Sequence, residues 1–110
     1  MAKKATPDYV TVARTSDIAP GAVQVFEVDG QAIGVANVDG QFYAFADVCT
    51  HDGGPVAEGE LDGCVIECPR HGARFDVSTG AVLSMPAVTP LPVYDLKIED
   101  GQIRVCRLPR

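Results

Sequence analysis

The chain has two histidines, and each stands close to a cysteine, in "CTHDGG" at 49–54 and in "CPRHG" at 68–72. Thiolates and neutral imidazoles ligate soft and borderline transition metals, so Cys49 with His51 and Cys68 with His71 offer a mixed set of sulfur and nitrogen donors. Cys49 and His51 are two apart, which in extended backbone sends both side chains to the same face. Cys68 and His71 are three apart across Pro69, a spacing suited to a tight loop. "DGGP" follows His51 and Gly72 follows His71. The sequence therefore describes two loop tips, each carrying one thiol and one imidazole.

Two metal chemistries are compatible with these pairs. A structural zinc ion needs four ligands converging on one tetrahedral centre, and zinc loops usually separate paired ligands by two or more residues. The single residue between Cys49 and His51 is unusual for that purpose. A centre with two irons relaxes the requirement, because each loop can give its cysteine to one iron and its histidine to the other. The two-iron reading fits the spacing best.

Strand-like segments flank the loops on both sides. "YVTVA" (9–13), "AVQVFEV" (22–28), "QAIGVANV" (31–38), "QFYAFA" (41–46), "CVIEC" (64–68), "RFDV" (74–77), "YDLKIE" (94–99) and "QIRVCRL" (102–108) are rich in β-branched and aromatic residues. Most alternate with the period of two of a half-buried strand. Asp-Gly pairs at 29–30, 39–40, 62–63 and 100–101 readily adopt the positive φ angles of tight hairpin turns. An all-β, antiparallel domain is expected. "SDIAPG" (16–21) is the one plausible helical turn, with Ser16 or Asp17 as its cap. The proline-rich segment "SMPAVTPLPVY" (84–94) should be an ordered loop, since proline cannot donate to a sheet ladder.

Composition sets the frame. At 110 residues the chain is read as a single domain able to bury a core without disulfide staples. No apolar run approaches the ~20 residues needed to cross a bilayer, and the first ten residues lack the apolar core of a signal peptide, so a cytoplasmic protein is expected. The formal charge of −6 is spread along the chain, which argues against nucleic acid as a partner. That acidity serves solubility, or steers docking towards a basic patch on a partner, in which case added salt should slow the encounter.

The two boxes, C-x-H and, sixteen residues later, C-x-x-H, reproduce the Rieske pattern. The stretch "EGELDGCVIECPRHGARFDVSTGAVLSMPAVTPLPVYDLKIEDGQIRV" (58–105) resembles the small Rieske ferredoxins of bacterial ring-hydroxylating dioxygenases. The resemblance implies a Rieske fold, an antiparallel β-sandwich with a cluster-binding subdomain of two loops at about 46–88 within a single domain of 1–110. It implies one 2Fe-2S cluster, with Cys49 and Cys68 on a buried iron and His51 and His71 on an outer iron. It further implies a monomeric one-electron carrier between a flavin reductase and a terminal oxygenase, not itself an enzyme, docking transiently through 51–56, 69–73, Met85 and Pro86. A nitrite reductase small subunit or a Rieske protein of iron-sulfur metabolism is the alternative within this resemblance, and a structural zinc module lies outside it.

Departures from the respiratory Rieske type bear on potential. Where that type has two cysteines bracing its loops, this chain has Gly54 and Arg70. Where it has a serine and a tyrosine that donate to cluster sulfurs, this chain has Ala73 and Phe75. Fewer donors stabilise the reduced state less, so a potential near the low end of the range, about −150 mV, is expected. Cys64 and Cys106 fall in strand-like segments and are read as small apolar residues without a redox role.

Overall fold

The computed structural model describes residues 8–50, 53–85, 87 and 89–110. Among these residues ten strands and one short 3-10 turn follow one another. They are β1 (Tyr9–Arg14), β2 (Val23–Val28), β3 (Gln31–Val38), β4 (Gln41–Ala46), β5 (Leu61–Asp62), β6 (Val65–Glu67), β7 (Arg74–Asp76), β8 (Val82–Ser84), β9 (Val93–Glu99) and β10 (Gln102–Pro109), with the turn at Thr15–Asp17. Six strands form one sheet in the order β1-β10-β9-β4-β3-β2, and β5-β6-β7-β8 form a second. Every strand pairing is antiparallel.

Hairpin chemistry accounts for the large sheet. Asp29, Asp39 and Asp100 have φ of 52°, 51° and 53°, and the glycine after each is also positive, so these Asp-Gly pairs fill both centres of two-residue turns. The fourth pair behaves differently. Asp62 ends β5 and pairs with Val65, leaving Gly63 and Cys64 as the turn, with Gly63 alone in the pair at positive φ. Cys64 is therefore a half-buried turn residue, not a strand residue as its neighbours suggested. At the turn after β1, Asp17 rather than Ser16 is the capping group, accepting a hydrogen bond from the Arg14 N–H at 3.0 Å.

Two cores result. Val28, Ile33, Val35, Ala44, Ala46, Tyr94, Ile103 and Val105 form the first with Ile18, and Val10 and Val12 pack against it. These residues come from all six strands of one sheet, so the sheet must curl around them to exclude water. The second core lies between the sheets and joins Ala36, Phe45 and Val93 to Val56, Ile66, Phe75, Val77, Ala87 and Leu91. Strands β3 and β4 thus bury both faces, which is why Ile33 to Asn37 are all buried and the expected alternation is lost there. Gly34 is the concession to this crowding. A Cβ on it would stand 2.6 Å from Cζ of Phe45, a ring with no exposed surface.

Candidate metal centre

Both cysteine loops spring from the second core. The first leaves the end of β4 and carries Cys49; the second joins β6 to β7 and carries Cys68. The two are built alike. In the first, Cys49 N–H donates to Gly54 O at 2.6 Å and Gly53 N–H donates back to Cys49 O at 2.7 Å. In the second, Cys68 N–H donates to Ala73 O at 2.7 Å and Gly72 N–H donates to Cys68 O at 3.0 Å. Gly53 and Gly72, each four residues beyond the cysteine, share a φ of 78°. Only glycine takes that angle freely, so the glycines after the two boxes are there to close the loops.

This frame puts the thiols inside. Cys49 is 0% exposed and Cys68 1%, whereas His71 is exposed. The thiols of Cys49 and Cys68 lie within hydrogen-bond reach of each other. Burial pushes the Cys68 thiol up, but backbone N–H groups of Arg70 and His71 aimed at its sulfur, the Cys49 thiol and the nearby Arg70 charge outweigh it and hold the group below its ordinary value. That shift eases loss of the Cys68 proton, and the thiolate is the metal-binding form. His51 and Asp52 lie outside the described residues, as does Pro86. Among the described residues no three of His, Cys, Asp and Glu converge as a single-ion site.

Neighbouring side chains hold the loops in place, and two of them were not legible as site residues. Asp47 follows β4, and its Oδ1 accepts the N–H groups of Val56 at 2.8 Å and Ala57 at 2.7 Å, pinning the far end of the first loop. Short polar side chains that capture backbone N–H groups in this way are common at strand ends, so an aspartate between β4 and Cys49 was the available signal. Arg70 Nη1 donates to Pro55 O at 2.8 Å, from the second loop to the first. The proline-rich segment completes the surround. Thr50 Oγ1 donates to Thr89 O at 2.6 Å, and buried Ala87 and Leu91 anchor the segment in the second core.

Only some of the residues expected at the docking surface are exposed. Pro55, Pro69, Arg70 and His71 are exposed, and Met85 is 79% exposed. Val56 and Ala73 are instead fully buried in the core: Ala73 O closes the second loop by accepting from Cys68 N–H, and Val56, just beyond the closed first loop, is drawn in where its N–H donates to Asp47. Cys64 and Cys106 form no disulfide, and Cys106 is buried in β10.

An antiparallel all-β domain that presents buried thiols and an exposed histidine from two matched loops has the architecture of an iron-sulfur protein of the Rieske class. The profile of the Rieske 2Fe-2S domain matches residues 8–95, and the chain belongs to that family. Among its relatives, Ferredoxin CarAc of Metapseudomonas resinovorans is 41% identical over 98 residues, covering 88% of this chain and 92% of that protein. The ferredoxin component of the naphthalene 1,2-dioxygenase/salicylate 5-hydroxylase systems of Ralstonia sp is 37% identical, covering 89% and 94%. A chain from the solved complex of reduced oxygenase and oxidized ferredoxin in carbazole 1,9a-dioxygenase superposes with a TM-score of 0.88 at 38% identity, covering 93% of this chain and 95% of that one. The donor set fits the family's cofactor, a Rieske-type 2Fe-2S cluster, because two buried thiols face each other while an imidazole is exposed.

Proposed function

We propose that the protein is the ferredoxin component of a ring-hydroxylating oxygenase system, taking single electrons from a flavin-dependent reductase and handing them to a terminal oxygenase. The observation that carries this reading is the matched pair of loops, which sets Cys49 and Cys68 in the core and His71 on the surface. Relatives covered almost end to end carry ferredoxin-component names, and one neighbour was solved in complex with its oxygenase.

In this reading Cys49 and Cys68 hold the inner iron, and His51 and His71 hold the outer one. When bound, the 2Fe-2S group accepts and returns one electron, passing from about zero net charge with its two thiolates to about −1. The chain's residues prepare for that change. The Arg70 and His71 N–H groups donate to Cys68 sulfur, and more strongly as its charge grows. Val56, Ala73, Phe75 and Ala87 keep water from the sulfur side. His71, on the exposed tip with Pro69 and Arg70, provides the short route out to a docked acceptor. The partner encounter is expected to be small and short-lived, burying less than about 1,200 Å². The protein acts as a monomer in the cytoplasm, as a carrier with no substrate of its own.

Iron, zinc and acid-labile sulfide analysis of anaerobically purified protein, with its electron paramagnetic resonance spectrum, tests the reading. Equal iron and sulfide with a Rieske signal that Cys49→Ser abolishes is the expected result. Stoichiometric zinc without sulfide would overturn it. Addition of the protein to a reductase and oxygenase pair should then restore turnover that either lacks alone.

A further inference from the structure

Each cluster loop is closed by its own backbone hydrogen bonds, so nothing within one loop fixes its distance from the other. Arg70 spans that gap. It sits between Cys68 and His71, and its Nη1–H reaches Pro55 O at 2.8 Å on the opposite loop. The same guanidinium lies flat against Gly54. A Cβ built there would stand 2.7 Å from Nη2, 2.8 Å from Cζ and 3.1 Å from Nε, so any larger residue would evict the arginine. Position 54 is therefore a socket for the guanidinium plane. Gly54 O is also the acceptor for Cys49 N–H, so a shift of this residue acts on the backbone that carries the first thiol.

We propose that Arg70 is a positioning residue, a side-chain strap that locks the Cys68 loop to the Cys49 loop and so sets the spacing at which the two thiols grip the cluster. This inference rests on the cluster reading above. A planar fork with several donors can both stack on a glycine and hydrogen-bond a carbonyl; lysine has the charge but neither the plane nor the fork. The strap is on the surface, where salt and water weaken charge, and its contribution is geometric before it is electrostatic.

Three variants of the full-length, cluster-loaded protein separate these contributions: Arg70→Lys, Arg70→Met and Gly54→Ala. The last leaves Arg70 in the chain but fills its socket. The readouts are the rate of bleaching by an iron chelator and the midpoint potential, with the paramagnetic resonance signal as evidence that the cluster is assembled. All three variants should lose iron faster than the parent by about threefold, the factor expected for one exposed charge-assisted contact. The potential should fall only in Arg70→Met, where a positive charge beside Cys68 is lost. Equal bleaching rates in the parent, Arg70→Lys and Gly54→Ala would overturn the strap, as would faster loss confined to Arg70→Met, which would reduce Arg70 to a charge. Absence of the Rieske signal from the parent protein would instead defeat the cluster reading itself.

Discussion

Asp47 shows how a single carboxylate can hold a metal loop without touching the metal. Val56 is fully buried, so its N–H must find an acceptor within the protein, and the Asp47 carboxylate supplies one for it and for Ala57. Removing the acceptor strands these donors. Asp47→Ala is expected to destabilise the protein by about 1–3 kcal/mol, the cost of an unsatisfied buried polar group, while Asp47→Asn, which keeps one acceptor oxygen, should recover most of the loss. Urea unfolding followed by circular dichroism measures both, and equal midpoints for the parent and the alanine variant would remove Asp47 from this role. The two cysteine and histidine pairs proposed as ligands stood out by residue type and spacing. Asp47 and Arg70 were not, because their importance lies in what they reach across the fold.

At the scale of elements, glycines mark where backbone meets backbone. Gly59, between the first loop and β5, lies so close to Glu67 O that a Cβ would overlap the carbonyl oxygen. Glu67 ends β6 and leads directly into Cys68. A side chain at 59 would therefore push on the strand that delivers the second thiol, and a backbone carbonyl cannot swing aside as a flexible side chain can. Gly59→Ala is predicted to cost about 1–3 kcal/mol and to lower the yield of assembled cluster, read as a reduced thermal midpoint and a lower iron content per chain. A variant with parental midpoint and iron content would show that the contact relaxes freely. The short strands β5 and β8 belong to the same lesson. They are two and three residues long and exist only through pairing with β6 and β7, so no local pattern announced them.

For the molecule as a whole, charge and exposure set the redox behaviour. Three arginines on the body are paired with carboxylates: Arg104 with Glu99 at 2.8 Å, Arg107 with Asp29 at 2.8 Å and Arg110 with Asp95 at 2.7 Å. The carboxyls of Asp29 and Glu99 are held below their ordinary values by hydrogen bonds from those arginines. Around the buried sulfurs, Ala73 and Phe75 offer no side-chain donor, and the N–H groups that donate to Cys68 belong to the backbone of Arg70 and His71. A midpoint potential near the bottom of the Rieske range, about −150 mV, is expected. A redox titration giving a clearly positive midpoint would contradict this expectation.

Local chemistry determined much of this protein. Asp-Gly turns and β-branched runs specify the hairpins, and cysteine and histidine at two spacings specify an iron-sulfur site, because turn angles and ligand preferences are properties of a few adjacent residues. Contacts between distant segments decided the rest. The large sheet curls and so gives β3 and β4 two buried faces, the small sheet comes into being by pairing, Val56 and Ala73 turn inward, Asp47 catches the far end of its own loop, and Arg70 reaches Pro55 on the opposite one. Such features arise from packing and from satisfying buried backbone groups, and those forces act only once the chain has brought its remote parts together.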